Sequence, residues 1–171
     1  MLSDCGNREV SWLEAALDRG LADAESPAAW LASLLAELAK HSGVPEKERD
    51  LTWLLRATLE AREEEEPLSV GDSDPILRHL PTSGSWEARL HTLQLLRQLS
   101  VGPRRRASVE VFVRESLTSK NKFERAWAYD AFHFLATRFS ELRPEWSELL
   151  AAAESEPPSV RARLRHLPSA F

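Results

Sequence analysis

One cysteine, Cys5, occurs in 171 residues. A single thiol closes no internal disulfide, so a reducing compartment is expected. Glycine is scarce too, with six in the chain, and none falls in a GxGxxG, GxxxxGK[ST] or GxSxG pattern that would cradle a phosphate or present a nucleophilic serine. The five histidines, His41, His79, His91, His133 and His166, include no HExxH pair, and there is no CxxC. Neither a metal nor a cofactor is expected. The longest apolar run, Ala28 to Leu35, is broken by Ser33, whereas a membrane span needs roughly 20 apolar residues. The opening MLSDCGNREV has no basic segment followed by an apolar one, so no secretory signal is read there. These absences point to a cytoplasmic protein that is not an enzyme.

Strand signals are nearly missing as well. Only Val109 to Val113 (VEVFV) alternates in the strand manner, and it sits inside a longer helical pattern. What the chain does have is helix punctuation. A first amphipathic helix is read from Arg8 to Arg19, stopping at Gly20. A second begins at Ser26-Pro27, an N-cap followed by proline at the first helical position, and ends at Gly43. A third starts near Pro45 and runs into Arg62. Glu63 to Glu66 then form an acidic run, read as a solvated helix end. Residues 67–75 hold two prolines, a glycine, two serines and two aspartates, and read as a linker.

Charge is unevenly spread. The net charge is −5, but residues 1–80 carry 8 basic and 17 acidic side chains and residues 81–171 carry 14 and 10. Such a split bears on partners and solubility rather than on fold.

Beyond the proposed linker the chain copies itself. Arg89, Arg125 and Arg161 are 36 residues apart, and around them stand SWEARLHTLQLLRQL, NKFERAWAYDAFHFL and PPSVRARLRHLP. Each window has a polar or proline entry, a large apolar residue (Trp86, Phe123 or Val160), the arginine, and a helical apolar stripe. Leu77, Val113 and Leu149 keep the same spacing on the preceding helices. Each unit is therefore helix, turn, helix, which buries its apolar face only by stacking on neighbours. One further step back puts Trp53 where the arginine should be, so residues 1–66 read either as a degenerate repeat or as a helical cap, and residues 76–171 as the repeats.

The second helices, above all FERAWAYDAF from Phe123 and SVRARL from Ser159, follow the form x-V-R-A-x-A-x-x-x-L. The chain resembles HEAT-repeat proteins over roughly residues 74–167, in particular small bacterial members of that family. Ala88 and Glu124 depart from the pattern, which has valine before the arginine. The resemblance implies an all-α fold of antiparallel helix pairs stacked as a short right-handed α-solenoid. It also implies a scaffold that binds proteins or, in some members, nucleic acid.

On a helical wheel, Phe123, Trp127, Ala128, Ala131, Phe132, Phe134, Leu135 and Phe139 cover half of the helix from Lys122 to Phe139. The other arc holds Lys122, Arg125, Tyr129, Asp130, His133 and Thr137, and in a solenoid would line the concave side. Shifting it by 36 residues adds Trp86, Arg89, Gln94 and Arg97 on one side, and Arg161 and Arg165 on the other. The expected partner-binding residues are thus Trp86, Arg89, Arg97, Lys122, Arg125, Tyr129, Asp130, His133, Arg161 and Arg165. Arginine suits such a face because its planar fork holds carboxylates or phosphates at two points. The repeated arginines have a second reading, a ladder that ties one repeat to acidic groups of the next. Trp12, Trp30, Trp53 and Trp146 lie in phase with leucines and read as core.

The expected function is a non-catalytic interaction module that binds an acidic segment of another protein through its basic concave face. It is expected as a monomer or weak homodimer, with no membrane attachment. The alternative is nucleic-acid binding in the manner of HEAT-like alkylpurine DNA glycosylases, which use a basic groove with tryptophans and an aspartate; Trp127 and Asp130 lie near Arg125. The acidic whole-chain charge argues against it, since a duplex binder carries a positive footprint.

Overall fold

A computed structural model describes residues 3–62 and 66–168, with side chains described from residue 11 onward. All regular structure among them is helical: α1 (Ser3–Asp23), α2 (Pro27–Lys40), α3 (Pro45–Glu60), α4 (Val70–Leu77), α5 (Trp86–Leu95), α6 (Pro103–Leu117), α7 (Lys122–Arg138), α8 (Arg143–Ala152) and α9 (Pro158–Arg165). Short 3-10 turns at Leu96–Gln98, Ser140–Leu142 and Ala153–Ser155 extend α5, precede α8 and follow it. The VEVFV segment is helix, inside α6. Most of the acidic run (63–65) and most of the C-terminal PSAF lie outside the described residues.

Local chemistry explains the helix starts. Ser26 Oγ accepts from the Ala29 N–H at the head of α2, and Ser85 Oγ from the Ala88 N–H at the head of α5. Asn121 Oδ1 accepts from the N–H groups of Phe123 and Glu124 at the head of α7. Each satisfies donors that a helix start leaves open. Gly43, after α2, has φ +84°, a left-handed conformation that costs glycine little.

The second helices of the repeat start at Trp86, Lys122 and Pro158, each 36 residues after the last. They pack in sequence order, α5 on α7 and α7 on α9, with α3 on the free side of α5. From Pro45 to Trp86 the spacing is 41, not 36. The N-terminal third contributes a helix pair of its own, α2 with α3, out of register by five residues. That offset is why a 36-residue step back lands on Trp53. The buried core runs from Leu38, Leu55 and Leu59 through Leu93, Leu96 and Val113 to Phe132, Leu135 and Val160. A smaller cluster of Leu13, Leu34 and Leu54 holds α1 against α2 and α3.

Three expectations need correcting. Gly20 does not stop the first helix: α1 continues to Asp23. A Cβ on Gly20 would lie under 3 Å from three carbons of the Trp30 ring, so the glycine is a socket for that indole. Trp30 stays in place because its Nε1–H donates to Thr58 Oγ1 at 2.9 Å. Trp12, in contrast, is exposed and forms no part of the core. Finally, residues 67–75 contain most of α4. Pro75 within α4 removes a helical N–H, which is why local propensity argues against a helix there. Tertiary contacts outweigh it. Ser69 caps the helix, Ser73 Oγ accepts from the Ser100 N–H, and Ile76 and Leu77 enter the core.

Buried Glu48 of α3 ties the turn before α3 to the segment between α4 and α5. Its carboxylate accepts from the N–H groups of Gly43, Thr82 and Ser83 and from the Thr82 hydroxyl. Burial raises its pKa, but the hydrogen bonds outweigh burial and the net shift is downward.

Candidate functional site

The repeated arginines turn inward. On α5, Arg89 Nε donates to Glu124 Oε1 of α7 at 2.8 Å. Its Nη2 donates to the Phe112 carbonyl at 3.0 Å and to Ser116 Oγ at 2.8 Å on α6. The same guanidinium lies 4.4 Å from the centre of the Phe112 ring. Glu124, the residue that departs from the valine pattern, is buried and also accepts from Ser119 Oγ at 2.6 Å. Arg125 also reaches the following segment but with different partners, its Nε and Nη2 donating to Glu156 Oε2 at 3.1 Å in the turn before α9 and its Nη1 to the Ser119 carbonyl at 2.6 Å. Arg89 and Arg125 thus tie successive units together. Arg161, last in the series, is exposed and has no ion pair among the described residues, as has Arg165.

The outer helices carry further ties. Arg105 of α6 reaches Asp74 of α4, and Arg114 of α6 donates from two nitrogens to Glu145 of α8 at 2.8 Å. The Arg105 guanidinium holds the Asp74 carboxyl below its ordinary range, and Arg114 does the same for Glu145.

The wheel placed Tyr129, Asp130 and His133 on the presented arc, but all three are buried. The cause is the number of neighbours. A wheel assumes one solvent side, whereas α7 packs against α5, α6, α8 and α9, and every residue from Ala128 to Ala136 is buried. Burial first, then the Glu156 charge, raises the Tyr129 hydroxyl's pKa. The His133 and Trp146 ring centres are 5.2 Å apart in an edge-to-face arrangement; burial first, then the Arg97 charge, lowers the His133 pKa. Trp86 and Lys122, the first residues of α5 and α7, are exposed as expected, with Lys122 Nζ 5.2 Å from the Phe123 ring centre.

Asp130 is where the presented set gathers. Its carboxylate, 4% exposed, accepts from Arg97 Nε at 2.5 Å on one side. On the other it accepts from Arg163 Nε and Nη2 at 2.8 and 2.7 Å. One aspartate of α7 therefore joins the turn after α5 to α9. Both side chains keep partial exposure, Arg97 at 36% and Arg163 at 32%, and Arg97 Nη2 also lies 3.5 Å from His133 Nδ1. Arg163 also lies over Trp127, 3.5 Å from the ring centre. Arg138, at the end of α7, stands 4.0 Å from the Phe134 ring centre, and Arg97 is 5.9 Å from the same centre. Toward α3 the line continues through Arg56, whose Nη1 donates to Gln94 Oε1 at 2.9 Å.

A run of Arg56, Gln94, Arg97, Asp130 and Arg163 thus crosses α3, α5, α7 and α9, with Arg138 beside it. Arg163 and Arg138 were missing from the sequence-derived set. Arg163 lies 36 residues after Trp127, a position the wheel assigned to the apolar side. The repeat period itself could have linked the two, since an arginine stacked on a tryptophan occupies an apolar phase with its stem and ring contact.

Near α3, His91 Nδ1 lies 3.2 Å from Thr52 Oγ1, whose own proton goes to the Glu48 carbonyl at 2.7 Å. Burial, reinforced by the Arg56 charge, pushes the His91 pKa down to about 4. It is neutral at pH 7 and adds no charge to the line.

Comparison with known proteins returns no matching family model, no similar curated protein and no similar solved structure. Among the described residues no helix is long and apolar enough to cross a membrane, and no group of three or more His, Cys, Asp or Glu residues is arranged to hold a metal ion.

Proposed function

We propose that the protein is a short HEAT-like solenoid acting as a non-catalytic interaction module, and that it binds an acidic segment of another protein along the arginine line of α3, α5, α7 and α9. The order in which these helices pack and their repeat spacing support the solenoid reading. The observation that carries the functional reading is the set of half-open arginines over a single buried acid, Asp130. Arginine forks that keep solvent-facing N–H groups suit two-point contact with carboxylates. The binding face is shifted from the sequence-derived one: Arg89 and Arg125 act as ties, and Arg97, Arg138 and Arg163 as contacts. On this reading the module works in the cytoplasm as a monomer or weak dimer.

The nucleic-acid reading is weaker. A base-stacking groove needs an open aromatic face, and one face of Trp127 is occupied by Arg163.

Fluorescence anisotropy with a labelled glutamate- and aspartate-rich peptide tests the proposal. The chain carries a net charge of −5, so non-specific electrostatics repel such a peptide. Binding at low salt that weakens as salt rises is the expected result. No binding of any acidic peptide at low salt overturns it.

A further inference from the structure

The two ends of the arginine line differ. Near α3, Arg56 faces the neutral Gln94 and lies 3.9 Å from Glu60. At the other end Arg97 stands between two further arginines. Arg97 and Arg163 share the one Asp130 carboxylate. Arg97 and Arg138 share one aromatic ring, Phe134. Arg138 has no carboxylate partner among the described residues, so three positive charges stand against one negative charge.

Arg138 is exposed, and the excess positive charge around it favours an anionic ligand. Partial burial first, then the Arg97 charge, lowers the proton affinity of Arg138. An aromatic ring offers a cation far less than a carboxylate does. The excess is about two positive charges, enough to match two carboxylates. Asp130 holds Arg97 through Nε and Arg163 through Nε and Nη2, and Arg97 Nη2 lies 3.5 Å from His133 Nδ1, which leaves Nη1 of each fork without a partner among the described residues. Both Nη1 groups are thereby oriented before anything binds, which reduces the ordering cost of binding.

We propose that Arg97, Arg138 and Arg163 form the anchoring subsite of the binding face, taking a pair of neighbouring side-chain carboxylates from the acidic segment, with Asp130 as the residue that positions two of the three forks. This rests on the reading of the protein as a binder of acidic segments. It narrows that reading to the α7–α9 end and to an acidic pair as the recognised feature.

The test measures anisotropy for two labelled peptides of equal net charge, one with adjacent acidic residues and one with the same residues spaced apart by glycines. The proteins are wild type, Arg138→Gln, Arg163→Gln and, as control, Arg104→Gln, an exposed arginine at the start of α6. The paired peptide is expected to bind wild type more tightly, and Arg138→Gln and Arg163→Gln to weaken it by about three- to tenfold each. Arg104→Gln is expected to leave it unchanged. Arg138→Lys should restore only part of the loss, because lysine keeps the charge without the fork.

Arg138→Gln loses only a ring contact, so it remains informative if Arg163→Gln folds poorly. If wild type binds acidic peptides but Arg138→Gln and Arg163→Gln bind them equally well, the subsite is wrong and the broader function stands. If wild type binds neither peptide, the broader function fails. If a duplex DNA of similar length displaces the peptide and its own affinity depends on Arg138, the occupant is nucleic acid and this proposal is overturned.

Discussion

Removing the carboxylate of Glu124 should unmake a tie between repeats, and the size of the loss follows from its surroundings. The side chain is 3% exposed and accepts from Arg89 Nε at 2.8 Å and Ser119 Oγ at 2.6 Å. Breaking one partner of a buried ion pair costs about 3–5 kcal/mol, because the other charge is left uncompensated. Arg89 keeps the Phe112 carbonyl, Ser116 Oγ, a longer contact to the exposed Glu115 carboxylate at 3.5 Å and a little solvent, so Glu124→Leu should fall lower, at about 2–4 kcal/mol. Arg89→Met leaves Glu124 buried with only the Ser119 hydroxyl and should cost at least as much. The double variant leaves neither charge stranded, and its loss should fall short of the summed single losses by about 1–3 kcal/mol. Urea unfolding followed by far-ultraviolet circular dichroism measures all four corners of the cycle. Single variants within about 0.5 kcal/mol of wild type, or a double variant whose loss is simply additive, would refute the assignment of Arg89 as a tie. Peptide affinity per folded molecule should be the same at every corner, since neither residue belongs to the proposed binding face.

Two further outcomes are expected. Gly20→Ala should gain about 1 kcal/mol of helix propensity, but its methyl meets the pinned Trp30 ring, and such overpacking costs about 1–3 kcal/mol. The melting temperature should therefore drop, and a rise would show that Trp30 is free to move. His91, with its pKa lowered to about 4 from 6.5, binds a proton less readily folded than unfolded, so its penalty is absent above pH 6.5 and grows as pH falls toward 4. The full effect approaches about 3 kcal/mol. Stability of His91→Gln, measured by urea unfolding, should be flatter than wild type across that window, and identical slopes would refute the assignment.

Much of the fold was legible because its signals are local. Ser26-Pro27, Ser85 and Asn121 announce helix starts by chemistry that needs only the next three residues. The 36-residue recurrence of Arg89, Arg125 and Arg161 matches the 36-residue spacing of the starts of α5, α7 and α9. The recurrence did not distinguish the two readings of those arginines. The geometry does for Arg89 and Arg125, because their partners, Glu124 and Glu156, come from a following segment of the chain.

By itself, then, the sequence determined an all-helical chain, its main helix starts and the period of its second half. Tertiary structure alone decided which polar residues face water. Asp130 and His133 sit at polar phases of α7, yet neighbouring helices surround α7 and bury both. Arg163 sits at an apolar phase, yet it reaches solvent across Trp127. Helical phase describes one helix against an average environment. Presentation depends on where every neighbouring helix lies, and that is a property of the packed whole.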